Sequence, residues 1–399
     1  MKRVVITGMG IVTGLGLGKD ENLSGIIEGR DAVREITSFD TSVYKKTLGA
    51  EARGFKFPVR LKKIKTARYD RAAKLVLAAA DEAFGEAAFK GGPPAHTIVV
   101  LGTTLGGMIS GAAYHRELLA GKPGRHKHLY DYLACSQAAD VSTEWGLTGQ
   151  TFTVSNACAS GANAIGFAFR EIRSGRLDTA LAGGFDTMCE FTYAGFNSLQ
   201  AITRSRCSPF DKNRDGLALG EGAAVLVLEE LAQAEKRGAR ALAEITGYGE
   251  SSDAFHITRP EPTGEGAAAA IKEALAVAGI APSDIDYINA HGTATIFNDA
   301  MEAAAIKRAF GAAAKTVPVS SVKAMIGHTL GGAGAAEAVI SILALRSGIL
   351  PPNINYTTPD PDCDLNIVDR PGQKASLKRI MSNSFGFGGA NAVLVMQSY

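Results

Sequence analysis

Cysteine is scarce in this 399-residue chain, and the few present form no pattern. Cys135, Cys158, Cys189, Cys207 and Cys363 are scattered, odd in number, and include no C-x-x-C pair. That argues against a disulfide framework and a structural zinc site, and it fits a reducing compartment. No uninterrupted apolar run is long enough to span a bilayer, so no membrane insertion is expected. An excess of one charge is also lacking. A formal net charge of +2 gives no global argument for a nucleic-acid partner. The opening Met1-Lys-Arg-Val-Val-Ile has the flavour of a signal peptide, but it reads better as a buried strand. It is rich in Val and Ile, is broken by Gly8, Gly10 and Gly14, and leads to no small-x-small cleavage site. The expected location is cytoplasmic. Linkers and low-complexity tails are missing as well.

What is present describes a globular protein, with 46% apolar and 21% charged residues. Single cores stop growing near roughly 250–300 residues, so two units are expected, 1–240 and 241–399. Strands are expected at Val4–Thr7, His96–Leu101, Thr151–Ala157, Asp178–Ala182 and Ala223–Glu229 in the first unit. The second should hold strands at Ala241–Tyr248, Ile285–Ala290, Thr316–Ser320, Arg379–Ser382 and Ala392–Gln397. Helices are expected at Arg71–Gly85, Ser160–Arg173, Gly266–Ala278 and Gly334–Arg346. Gly8-Met-Gly-Ile-Val-Thr-Gly14 nearly matches a dinucleotide fingerprint. Its spacing is wrong and no acidic residue follows in the expected context, so a tight turn is the better reading. The units echo each other. Each has a strand ending in Gly-Thr (Gly102-Thr103, Gly292-Thr293) and a small-residue helix ending in Arg-Ser-Gly (Arg173 to Gly175, Arg346 to Gly348). Alternating strands and helices predict a mixed α/β layered fold built by internal duplication.

Three residues sit at the mouths of glycine- and alanine-rich segments. Cys158 follows Thr151-Phe-Thr-Val-Ser-Asn-Ala157 and precedes Ala-Ser-Gly161. His291 lies in Asn289-Ala-His-Gly-Thr-Ala-Thr295, and His328 in Lys323-Ala-Met-Ile-Gly-His328. One nucleophile with two imidazoles points to covalent acyl chemistry. The bland reading is a buried inert thiol, applied here to Cys189, Cys207 and Cys363, and also to Cys135. Its counterpart for imidazole is a hydrogen-bonded core histidine, applied to His96. No H-x-x-x-H or carboxylate spacing supports zinc, and no metal is expected.

Six segments in order resemble the β-ketoacyl–acyl carrier protein synthases, especially the synthase II type and its polyketide relatives in the thiolase-like superfamily. They are Ala157-Cys-Ala-Ser-Gly161, Ser208 to Gly222, Ser251 to Thr258, Asn289 to Thr295, Val322 to His328 and Asn383 to Asn391. The resemblance implies the thiolase-like five-layered α/β/α/β/α fold built from two duplicated halves, usually as a dimer. It implies decarboxylating condensation of an acyl thioester with malonyl-acyl carrier protein, in fatty-acid or related polyketide synthesis. No cofactor is implied beyond the phosphopantetheine that carries the substrates.

Under that resemblance Cys158 accepts the acyl group, helped by a helix N-terminus. His291 and His328 stabilise the enolate left by decarboxylation. Lys323 orients His328, and Glu337 fixes Lys323. The backbone N–H of Phe387, with that of Cys158, forms an oxyanion hole, and the surrounding glycines let Phe387 act as a gate. Thr293 and Thr295 are expected along the phosphopantetheine arm, with Leu105 and Phe196 at the acyl pocket. Lys62, Lys63, Lys65, Arg68, Arg204 and Arg206 are expected to dock the acidic acyl carrier protein.

The match frays over Met108–Gly149. Ile296 stands where the family usually has proline, and Ala159 where Thr or Ser is common. These departures raise a specialised alternative, the catalytic subunit of a polyketide or polyene heterodimer beside the expected homodimer. A degradative thiolase would need a second cysteine near the C-terminus, and a coenzyme A-primed synthase a Cys–His–Asn set. A chain-length-setting subunit would lack the nucleophile.

Overall fold

The computed structural model describes residues 1–58, 61 and 68–399. Among these, one 12-stranded sheet runs through the molecule. Its order is Asn366–Ile367, Pro318–Ser320, Tyr287–Asn289, Arg379–Gly386, Ala390–Gln397, Ala243–Ser252, Val4–Thr13, Gly222–Glu230, Thr179–Asp186, Ile98–Gly102 and Thr151–Val154. Gly16–Leu17 folds back on Val4–Thr13. The order reads the same outward from the centre. Val4–Thr13 and Ala243–Ser252 meet antiparallel through Val4–Ile6 and Ala243–Ile245. Beyond each lies an antiparallel strand, and beyond that a parallel set.

Burial follows from the near-continuous apolar runs of these strands, which need cover on both faces. In Gly222–Glu230, Ala224, Leu226 and Leu228 face a central core, while Ala223, Val225 and Val227 face an outer one. In Ala390–Gln397, Leu394 and Met396 face the same central core, while Val393 and Val395 face a second outer one. The central core holds helices Ser160–Arg173 and Ala333–Ser347. The outer cores hold Arg71–Ala87 on one side, and Glu265–Ala278 with Ile296–Phe310 on the other. Helix, one half of the sheet, helices, the other half of the sheet, and helices make five layers, as the resemblance implies. The apolar stretch Leu330–Ser347 has the length and composition of a membrane span but is 89% buried as the central helix.

Val4–Thr13 is one continuous strand, so the tight turn expected over Gly8–Gly14 forms only at its end, at Gly14–Leu15. The glycines are there for packing. A Cβ on Gly8 would lie 2.1 Å from the Ala83 carbonyl, and one on Gly10 1.9 Å from that of Ala79. The other half repeats the device. Gly247 and Gly249 would clash with the Ala274 and Ala270 carbonyls at 2.2 and 2.1 Å. Helices Met108–Leu119, His126–Tyr132, Ser136–Trp145, Glu190–Ser198 and Ile296–Phe310 were not expected from the sequence. Two bland readings also need correction, since His96 and Cys135 are exposed.

Candidate active site

The strand Thr151–Val154 stops short of the expected Ala157 because the chain must turn sharply into helix Ser160–Arg173. Ala157 takes a left-handed conformation, φ 46°. A non-glycine residue there is strained, and such strain persists only where the surroundings enforce it. The turn puts Cys158 just before the first helical turn, buried, beside the backbone of Gly386 and Phe387. The Phe387 N–H donates to the Cys158 sulfur. A Cβ on Gly386 would sit 3.1 Å from the Cys158 nitrogen, so glycine lets the two segments approach. Burial pushes the Cys158 thiol up to about 12, opposed by the charge of Lys323 and by the Phe387 N–H. Burial thus opposes the thiolate, while the Lys323 charge and the Phe387 N–H favour it.

His291 follows strand Tyr287–Asn289, and His328 follows the short helix Lys323–Ile326. Both are buried, with ring centroids 5.4 Å apart and planes at 85°. Leu330 N–H donates to His328 Nδ1 at 3.2 Å, which leaves the proton of the neutral ring on Nε2. His291 Nδ1 lies 3.3 Å from Lys323 Nζ, a donor-only group, so the same assignment holds. Burial first, and then the Lys323 charge, push both imidazoles well below their usual range. Two neutral rings with Nε2–H groups form a donor pair suited to a developing oxyanion.

Lys323 and Glu337 are fully buried and paired. Lys323 Nζ also donates to the His291 carbonyl at 2.6 Å. Lys323 thus contacts His291 directly, rather than His328 as the resemblance implied. Burial raises the Glu337 carboxyl while Lys323 holds it down. Two buried carboxylates escaped the sequence reasoning. Glu302 accepts the N–H groups of His291 and Gly292 at 2.8 and 2.7 Å, and an Asn383 amide hydrogen at 3.1 Å. Asp186 braces the loops below the site. Buried oxygens of Asn289, Glu337, Asn383 and Ser384 find no partner among the described residues.

Cys158, His291 and His328 open into one cavity of about 360 Å³. Thr293 and Thr295 line it, their hydroxyls 2.9 Å apart. Phe196 lines it too and stacks on Phe387 at 5.8 Å. Leu105 does not line this cavity but packs with Phe196 in a neighbouring apolar cluster. His256 lines the mouth, its Nδ1 accepting the Thr258 N–H at 3.1 Å. Arg204 and Arg206 are exposed in a turn held by Asp215, which lines the cavity. Arg68 is exposed, whereas Lys62, Lys63 and Lys65 lie outside the described residues.

Known proteins resemble this chain over its whole length. Residues 1–234 match the family described as beta-ketoacyl synthase, N-terminal domain, and residues 242–357 match its C-terminal domain. The chain is 39% identical to 3-oxoacyl-[acyl-carrier-protein] synthase 2 of Staphylococcus aureus (strain N315), covering 100% of this chain and 99% of that protein. It is also 39% identical to the synthase 2 of Coxiella burnetii, covering 99% and 98%. Among solved structures, the ishigamide ketosynthase/chain length factor superposes with a TM-score of 0.95 at 36% identity, covering 100% of this chain and 99% of that one. A Burkholderia phymatum beta-ketoacyl synthase gives 0.93 at 35%, with both chains covered fully. With its motifs in order, its duplicated layers and its Cys–His–His cavity, the chain belongs to the beta-ketoacyl synthase family.

Proposed function

We propose that Cys158 carries the growing acyl group and that His291 and His328 run a decarboxylating condensation on it. The acyl thioester arrives on an acyl carrier protein. The Cys158 sulfur attacks its carbonyl, the Cys158 proton passes to the leaving side, and the carrier thiol departs. The oxyanion of each tetrahedral intermediate takes N–H groups of Cys158 and Phe387. A malonyl thioester then enters. Its carbon–carbon bond breaks, CO2 leaves, and the electron pair forms an enolate whose oxygen faces the two imidazole Nε2–H groups. The enolate carbon attacks the acyl-Cys158 carbonyl, the carbon–sulfur bond breaks with its electron pair passing to the Cys158 sulfur, which takes up a proton from solvent, and a 3-oxoacyl thioester leaves on the carrier. The chemistry calls for no metal and no dissociable cofactor.

The observation that carries this reading is the sharing of one cavity by Cys158 and two neutral histidines. The test offers acyl carrier proteins of varied chain length and weighs the protein intact. A mass gain equal to the acyl group on Cys158, followed by product release on adding malonyl carrier, is expected. No mass gain with any carrier overturns it.

On the partner side, the exposed Arg204 and Arg206 near the mouth favour an acidic carrier. The second subunit has two readings. Leu118, Leu119, Leu129 and Tyr130 stand exposed on the helices of the segment where the motif match frays, with Leu133 just beyond them, which favours a covered face. The expected cover is a second copy. The likeness to a ketosynthase/chain length factor supports a non-identical subunit as the alternative. Native mass spectrometry of the purified chain separates them, since a lone monomer favours the heterodimer.

A further inference from the structure

Asp186 ends strand Thr179–Asp186 and is fully buried, where a carboxylate is costly unless every lone pair is used. It takes four donors. Thr103 Oγ1 donates at 2.6 Å, Thr104 N–H at 2.9 Å, Leu105 N–H at 2.9 Å and Gly331 N–H at 2.6 Å. Three of these come from the turn after Ile98–Gly102 and anchor the carboxylate to the cysteine-bearing side. The fourth crosses to the loop that carries His328. Its neighbour Leu330 is left-handed, φ 53°, a conformation a leucine does not hold without restraint. The Leu330 side chain packs into the cluster with Met188, Tyr193 and Leu219, which explains why glycine does not stand there. Packing fixes the side chain, but the peptide plane needs its own restraint. The Gly331 N–H lies in the peptide after Leu330 and the Leu330 N–H in the one before it, so a fixed Gly331 plane sets the other through the Leu330 backbone angles, and the Leu330 N–H points at His328 Nδ1.

We propose that Asp186 is a positioning residue for His328: by gripping the Gly331 N–H it fixes the peptide after Leu330, and through the left-handed Leu330 backbone it keeps the preceding peptide turned so that the Leu330 N–H holds the imidazole as the Nε2–H tautomer. The inference rests on the condensation reading and adds to it a residue that serves decarboxylation without touching substrate. The two half-reactions should therefore separate. Asp186→Asn puts an amide hydrogen against a ring of donors and loosens the grip on Gly331.

The experiment uses the full chain and follows three readouts. They are self-acylation by intact mass, CO2 release from malonyl carrier protein, and the 15N spectrum of histidine-labelled protein. Asp186→Asn is expected to acylate within about twofold of the parent and to lose about 10–100-fold in CO2 release. The His328 ring signal should shift from a single tautomer to a mixture. The double variant Asp186→Asn with Leu330→Gly should recover much of the lost CO2 release, because glycine takes positive φ without strain. It also keeps the comparison open where the single variant does not fold. Unchanged CO2 release in Asp186→Asn, or equal loss of both half-reactions with an unchanged ring signal, overturns the proposal. A parent protein that releases no CO2 at all overturns instead the condensation reading.

Discussion

The loop 155–159 and the loop 321–332 occupy equivalent places in the two halves of the sheet. Each joins a parallel strand to a buried central helix, and each contains one strained non-glycine residue, Ala157 or Leu330. They differ in length, and length decides the chemistry. The short loop has room for one reactive side chain at the helix mouth, Cys158. The long one folds an extra helical turn, Lys323–Ile326, and adds both Lys323 and His328. Each loop is completed by the strand end of the opposite half. Phe387, after Arg379–Gly386, reaches Cys158, while Asp186, at the end of Thr179–Asp186, reaches Gly331. A duplicated frame thus carries two unlike loops, each dependent on the other side.

The comparison breaks most visibly at the loops themselves. Cys158→Ala should abolish acyl loading, read by intact mass. His328→Ala should load normally but lose about 10²–10³-fold in condensation, the usual cost of one oxyanion donor. Equal effects on loading would mean the loops do not divide the work. The frame gives the next effect. Gly10→Ala and Gly249→Ala should each cost about 1–3 kcal/mol by overpacking against an outer helix, read by denaturant unfolding, with activity per folded molecule kept. A large difference between them would show that the halves are not equally tight.

A smaller effect concerns pH. Burial raises the Glu302 carboxyl from 4.5 to about 7. The folded protein then holds that proton more tightly than the unfolded chain, so stability falls as pH rises between those values. Glu302→Gln should flatten that fall, measured as the urea midpoint at pH 5 and pH 8, though Asp186 and Glu337 share the window. The smallest effect is expected at Phe387→Ala. It removes the ring stacked on Phe196 but keeps the backbone N–H, so acyl loading should change only a few-fold.

Much of this was legible in the sequence, for physical reasons. Helix Ser160–Arg173 was readable because its small apolar stripe ends at Ser174-Gly175. Cys158, His291 and His328 were readable because reactive side chains at strand-to-helix mouths sit in small-residue surroundings. The Gly8–Gly14 run misled because glycine marks turns locally, whereas here a helix pressed against the strand demands it. Helix Met108–Leu119 was missed because it buries little and so shows no clear apolar stripe. Asp186 was invisible because its partner Gly331 lies far away in sequence, and Glu302 because its partners, the His291 and Gly292 N–H groups, are backbone groups that no side-chain pattern marks. A lone acidic residue gives no sign of which distant amides it will meet.

The crossing of the two strand ends has an evolutionary corollary. If the frame arose by doubling a shorter gene, the ancestral protein could have completed its site only as a pair of identical chains, each lending a strand tip to its twin. Fusion then freed the copies to diverge, one towards a thiol and the other towards imidazoles. It also made separation irreversible, because a fragment cut from either side would carry a loop with no neighbour to finish it.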